Sequence, residues 1–152
     1  MNKKKEEKTS EDTIDAPEWD YLYTAPSQIP DAGLGLFTAI PIYAGEHIAR
    51  YTGRILTDAV SDQLIAEGED EYFLLLPDGR ILDAGSDVKC AAAYANDACG
   101  LVRIGRRNNA RFDALDEQHI VLAATRNIKA GEEIFCAYGA RYWKKRKKHL
   151  SR

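Results

Sequence analysis

Apolar residues in this chain come in short runs, and almost every run is closed by a residue that favours a turn. Leu34 to Ala39 reads as a strand after a glycine loop, Pro41 to Gly45 as a turn, and His47 to Tyr51 as a strand that ends at Gly53. Tyr72 to Leu76 and Arg80 to Leu82 flank Pro77-Asp78-Gly79, whose composition specifies a hairpin. Strands follow at Ala110 to Asp113 and His119 to Ala124, and Ile134-Phe135-Cys136 forms another after the Lys129-Ala130-Gly131-Glu132 turn. Elsewhere the period is helical. Asp58 to Glu67 carries Val60, Leu64 and Ile65 at helical spacing behind a Thr57 cap and stops at Gly68, which predicts a short amphipathic helix; Cys90 to Tyr94 predicts a briefer one. Strands this short bury little surface singly and must combine into small sheets. Strand and helix do not alternate as a doubly wound sheet requires, and regular strands are too few for a clean sandwich. The expected fold is mainly β, with small irregular sheets and few short helices.

With 152 residues, 45% of them hydrophobic, the chain has the material for one compact domain. A domain of that size buries about 70% of the surface its unfolded chain exposes. The formal charge of -3 gives no global attraction for nucleic acid, so any such contact must come from local clustering. Residues 1 to 20 mix Lys3, Lys4 and Lys5 with Glu6, Glu7, Glu11 and Asp12 without apolar periodicity, which predicts a disordered lead-in. No apolar secretory region follows those lysines, and no apolar run approaches the roughly 18 residues of a membrane span, so a soluble intracellular protein is expected. The 3 cysteines, Cys90, Cys99 and Cys136, include no Cys-x-x-Cys pair, and the 3 histidines, His47, His119 and His149, are scattered. Free thiols in a reducing compartment and no bound metal are the expectation.

Some pieces gain meaning from their order. Gly33-Leu34-Gly35-Leu36-Phe37 is followed by Tyr51-Thr52-Gly53, then by Tyr72-Phe73 ahead of Asp78-Gly79-Arg80 and Asp83. Next come Asn96-Asp97-Ala98-Cys99, Asn109-Ala110-Arg111-Phe112, and Gly131-Glu132-Glu133 leading to Tyr138-Gly139. Each piece alone is common. The ordered set, spread over residues 26 to 143, resembles the SET domain of protein lysine methyltransferases, in a compact form without flanking zinc-binding cysteines. The resemblance implies a β-clip fold with a C-terminal pseudoknot, in which the chain near Asn96 is threaded with the final strand and one site is built from distant segments. It divides the chain into the lead-in 1–20, a SET domain 21–143 and a basic tail 144–152. It also implies S-adenosylmethionine as methyl donor.

The chemistry that this implies fits the residue types. Transfer from a sulfonium to an amine is an in-line displacement that needs a neutral nitrogen, whereas a free lysine ammonium has a pKa of about 10.4. A narrow apolar channel lined by tyrosines desolvates the ammonium and lowers that value. On the family's pattern Tyr138 is the active-site tyrosine that orients the amine, and Tyr51 is the second channel wall. Positioning suits a phenol of pKa about 10 better than general-base action. Tyr72 and Phe112 match aromatic channel positions that suit a cation, and equally suit core aromatics of strands. Cys136 stands where many relatives carry a tyrosine or phenylalanine that limits methyl number, so its smaller side chain points to di- or trimethylation. For the donor, Gly33, Leu34 and Gly35 would let backbone approach closely where a β-carbon would collide. Tyr94, Asn96 and Asp97 match the family's second donor-binding segment, with the Asn96 amide offering a donor and an acceptor together. Tyr138 also borders the donor, and Tyr142 and Trp143 would fold back over the donor's adenine or over the lysine channel in place of a zinc-bound cysteine segment. Asn109 would instead hold the pseudoknot.

Departures from the family pattern set the alternatives. Ala93-Tyr94-Ala95-Asn96-Asp97 stands where the family reads Asn-His after an arginine and an aromatic, and Gly100 to Asn108 is an insertion between segments the family keeps adjacent. The acidic Asp58, Asp62, Glu67, Glu69, Asp70 and Glu71 favour a lysine- and arginine-rich peptide such as a histone tail, bound as an added strand at a sheet edge. Lys144-Lys145-Arg146-Lys147-Lys148 reads as a nuclear localisation signal, a weak contact for nucleosomal DNA phosphate, or a solvated tail. The expected partner is a histone tail or nucleosome and no membrane, for a monomer or homodimer in a eukaryotic nucleus, or otherwise in the cytoplasm. The alternatives are a SET-like binding module that has lost turnover, which Asp97 and Ala93 would permit, and a methyltransferase of ribosomal or other non-histone proteins.

Overall fold

The computed structural model describes residues 12–85, 89–99 and 105–137. Tyr138, Gly139, Trp143 and the basic tail lie outside the described residues. Strands β1 (Leu22–Pro26) and β2 (Leu34–Thr38) pair antiparallel from Leu22 opposite Thr38 to Pro26 opposite Leu34, and β9 (Glu133–Ile134) pairs with the other edge of β2. In the second sheet β8 (Ile120–Ala124) lies between β3 (His47–Tyr51) and β7 (Ala110–Ala114). Every residue of β8 is buried, and its sequence Ile-Val-Leu-Ala-Ala is apolar throughout, as a strand covered on both faces requires. The third sheet has the order β4-β6-β5, built from β4 (Arg54–Leu56), β5 (Phe73–Leu75) and β6 (Ile81–Asp83). Its β5–β6 hairpin turns at Pro77-Asp78-Gly79, where the Gly79 amide donates to the Leu76 carbonyl and the Leu76 amide to that of Arg80. Leu36, Ile42, Ile48, Leu122, Ile128 and Ile134 fill the core.

The helices are a four-residue α1 (Glu18–Tyr21), α2 (Asp58–Ala66) and a single 3-10 turn, η1 (Ala91–Tyr94). Thr57 caps α2 as its sequence predicts, its hydroxyl accepting from the Val60 amide at 3.3 Å. The apolar stripe expected to bury this helix does not do so. Val60 is 38% and Ile65 42% exposed, while the residue driven inward is Ser61, at 4%. Helical spacing fixes which side chains share a face, but not whether another element covers that face.

Residues 12–20 correct the expected lead-in. The His47 amide donates to the Asp12 carbonyl, the Arg50 amide donates to the Glu18 carboxylate, and Ile14 packs against the core. Residues 12–20 are therefore held beside the edge of β3. Polarity in this stretch concealed a segment held by main-chain bonds, which leave no mark in composition.

After β9 the chain leaves its sheet and passes between two other segments. Phe135 forms a parallel bridge with Asn96, and Cys136 one with Ala110. The Cys136 amide donates to the Asn96 carbonyl at 2.8 Å, and the Asn109 and Ala110 amides both donate to the Phe135 carbonyl at 3.0 Å. The buried Asn109 side chain completes the crossing: its amide donates to the Glu133 carbonyl at 3.0 Å, and its oxygen accepts from the Phe135 amide at 2.8 Å. The predicted strand Ile134-Phe135-Cys136 is thus regular only at its first residue, because its remainder joins the crossing. Segments far apart in sequence meet here, which builds the site below.

Candidate active site

A cavity of about 470 Å³ opens where the end of β3, the start of β5, the middle of β7 and the η1 turn converge. Its wall at η1 is Ala92-Ala93-Tyr94, and short alanine side chains there leave the space unfilled. Tyr51, Tyr72 and Phe112 line one part; Leu34, Tyr94 and Asn96 line another; Ala137, the residue before Tyr138, lies on the same wall. Residues drawn from six separate stretches of sequence therefore share one space.

Tyr51 anchors the aromatic part. It is only 7% exposed, its hydroxyl donates to the Tyr72 carbonyl at 2.8 Å, and its ring stands edge-on to Phe112 at 5.2 Å. Burial, assisted by Cys90, Asp83 and other neighbours, pushes its phenol far above the ordinary tyrosine range. Tyr51 is thus a neutral hydrogen-bond donor at any physiological pH, and it cannot act as a phenolate base. It fixes the main chain beneath Tyr72, and the Tyr72 ring faces Lys89, whose Nζ lies 5.2 Å from the ring centroid. Sequence reading passed over Lys89, which belongs to no motif or periodic face, and placed Glu71 only in the acidic segment expected to meet a basic peptide; both lie on the cavity wall.

In the other part the Asn96 side-chain amide donates to the Leu34 carbonyl at 3.0 Å, which ties the η1 segment to the glycine loop. Tyr94 meets Trp19 edge-on, with centroids 6.3 Å apart and planes at 70°. Trp19, on α1, was invisible as a site neighbour because it lies in the stretch expected to be disordered.

Other predicted site residues fall elsewhere. Gly33 does not line the cavity; its φ of 72° is the left-handed conformation that favours glycine, in open space. Gly35 is also behind the wall, and a β-carbon there would run into the Glu133 carboxylate. That carboxylate is buried and accepts from the Ser27 hydroxyl at 2.6 Å and the Gln28 amide at 2.8 Å. Glu133 is thus by itself enough to demand glycine at position 35. Asp97, expected at the donor, turns away from the cavity: its carboxylate accepts from the Cys99 amide and the Asn108 side chain, bracing the base of the Gly100 to Asn108 insertion. Cys136, expected in the lysine channel, is fully buried and does not reach the cavity. Burial first, then the charge of Asp97, pushes its thiol up to about 12. Alternating direction explains the displacement, since successive residues of an extended segment face opposite ways and Ala137 is the one that reaches the wall. Among the described residues no group of three or more His, Cys, Asp or Glu side chains could hold a metal ion.

The family model of the SET domain matches residues 33–139, from the glycine loop to Tyr138-Gly139. The chain belongs to the SET domain family. No curated protein matches it. SET domains are methyltransferase domains, typically acting on lysine with S-adenosylmethionine as donor. In this SET domain the matched stretch contains the whole cavity wall except Ala32.

Proposed function

We propose that this SET domain is an active protein-lysine N-methyltransferase that moves a methyl group from S-adenosylmethionine to a lysine of a histone tail. One observation carries the reading: the aromatic surface of Tyr51, Tyr72 and Phe112 and the polar margin at Leu34 and Asn96 open into the same cavity. A volume of about 470 Å³ suits a small-molecule ligand, for which pockets run roughly 300–1,000 Å³. The alanines of η1 leave room, and Asn96 and the adjoining main chain offer polar groups, so the residues fit the donor. Leu34, Tyr94 and Asn96 would hold it, and when bound it supplies an electrophilic methyl on a sulfonium.

The chain's own residues perform the rest. Aromatic faces at Tyr72 and Phe112 attract the incoming ammonium, and their apolar surroundings favour its neutral form. Tyr51, neutral and bonded to the Tyr72 carbonyl, keeps that wall rigid. Tyr138, next after Ala137, orients the amine on the family's pattern. Substrate would lie against the acidic segment from Asp58 to Glu71 and along β5, an edge strand of its sheet. The tail 144–148 would direct the protein to the nucleus and touch nucleosomal DNA.

A second reading, a binding module without turnover, is favoured by Asp97, whose carboxylate serves the insertion and not the cavity. The purified full chain incubated with methyl-labelled S-adenosylmethionine and core histones separates the two. Label on a histone lysine is the expected result. Label found only on another protein of a cell lysate would move the substrate away from histones, and donor binding by calorimetry without any transfer would leave the module.

A further inference from the structure

We propose that Lys89 is an intramolecular methyl acceptor, a modification site built into the wall of the protein's own cavity. The inference rests on the methyltransferase reading above and adds a substrate within the chain itself. Lys89 Nζ lies 5.2 Å from the centroid of the Tyr72 ring, inside the roughly 6 Å over which a ring face attracts an ammonium. Lys89 lines the same cavity as Tyr51, Tyr72 and Phe112, the aromatic surface assigned to the incoming lysine. Its main chain is tethered beside that surface. The next residue, Cys90, accepts through its sulfur from the Thr52 amide at 3.4 Å, and through its carbonyl from the Ala93 amide at 3.1 Å. These bonds join the base of Lys89 both to the residue after Tyr51 and to η1.

Proximity decides the competition. A side chain tethered at the cavity meets it at an effective concentration on the order of millimolar, well above that of most protein substrates. Lys129, the other lysine among the described residues, is exposed and lines no part of the cavity. The remaining lysines lie at positions 3–8 and 144–148. In the reaction the Lys89 ammonium first loses a proton to solvent. Its nitrogen lone pair then forms the C–N bond as the sulfonium's S–CH₃ bond breaks, and S-adenosylhomocysteine departs as a neutral thioether. Methyl-lysine remains cationic, so the modified side chain keeps its attraction for the Tyr72 face.

The test uses the full chain with methyl-labelled S-adenosylmethionine and no added protein, followed by proteolysis and mass spectrometry of every lysine-containing peptide. Methyl on Lys89 at a rate per chain that does not change on dilution is expected. Lys89→Arg, which keeps the charge, should lose that label, whereas Lys129→Arg, at an exposed position away from the cavity, should keep both the label and histone methylation. Transfer to histone with Lys89 unmodified, label confined to the terminal lysines, or a Lys89 rate that falls in proportion to dilution would each overturn the inference and leave the methyltransferase reading standing. Absence of donor binding and of transfer to any protein would instead remove that reading, and this inference with it.

Discussion

At Gly35 the constraint is a neighbouring carboxylate; at Gly33 it is a backbone torsion. Because Ser27 and Gln28 both hold Glu133 in place, the carboxylate cannot swing aside freely when a methyl group is added opposite it. Gly35→Ala should therefore destabilise the fold by about 1–3 kcal/mol, the usual cost of overpacking, in urea denaturation. Gly33→Ala should cost about 1 kcal/mol, from the left-handed torsion alone. Cys136 gives a prediction in pH. An unfolded thiol ionises near 9, whereas burial holds the folded one up to about 12. Between these values the folded state keeps a proton that the unfolded state has lost, so stability is intact below about pH 9 and falls as pH rises toward 12. One such group contributes a slope of at most about 1.4 kcal/mol per pH unit. Denaturation midpoints measured across that window should decline, and less so in Cys136→Ala. Tyr21, also raised to about 12 by burial and by Glu18 and Glu46, adds to the decline in both proteins.

The element on which the architecture turns is the crossing of the last segment through the chain at Asn96 and Asn109. Asn109 alone satisfies two main-chain groups there, the Glu133 carbonyl and the Phe135 amide. Each buried group left unsatisfied costs about 1–3 kcal/mol, so Asn109→Ala should lose at least about 2 kcal/mol in chemical denaturation, more than Thr57→Ala at the exposed cap of α2, at about 1 kcal/mol. Single elements were largely legible from sequence, because turn residues and apolar runs act locally: β2, β3, α2 with its cap, the β5–β6 hairpin, η1, β7 and β8 all form near their expected positions. Where a neighbour decides, local pattern fails. The Val60 and Ile65 face of α2 has the right spacing yet stays largely uncovered among the described residues, and Asp12 to Glu18 has no apolar pattern yet pairs along β3.

For the whole molecule the same division holds. The order of the motifs identified the fold family, and the cavity gathers Tyr51, Tyr72, Phe112, Leu34, Tyr94 and Asn96. Motif order did not reveal which members of a motif face the cavity and which support it from behind. Gly35, Asp97 and Cys136 belong to the second kind, each set by a partner remote in sequence or by the alternation of an extended chain. Lys89 and Trp19 were missed for the converse reason, since each approaches the site from outside any motif. The central claim is that the cavity and the tyrosine following Ala137 together carry methyl transfer. Its most direct test compares histone methylation by the full chain and by Tyr138→Phe, with donor affinity measured by calorimetry on both. An amine misplaced by the loss of one hydroxyl predicts a fall in kcat of about 10²-fold with donor affinity unchanged; equal rates in the two proteins would contradict the account.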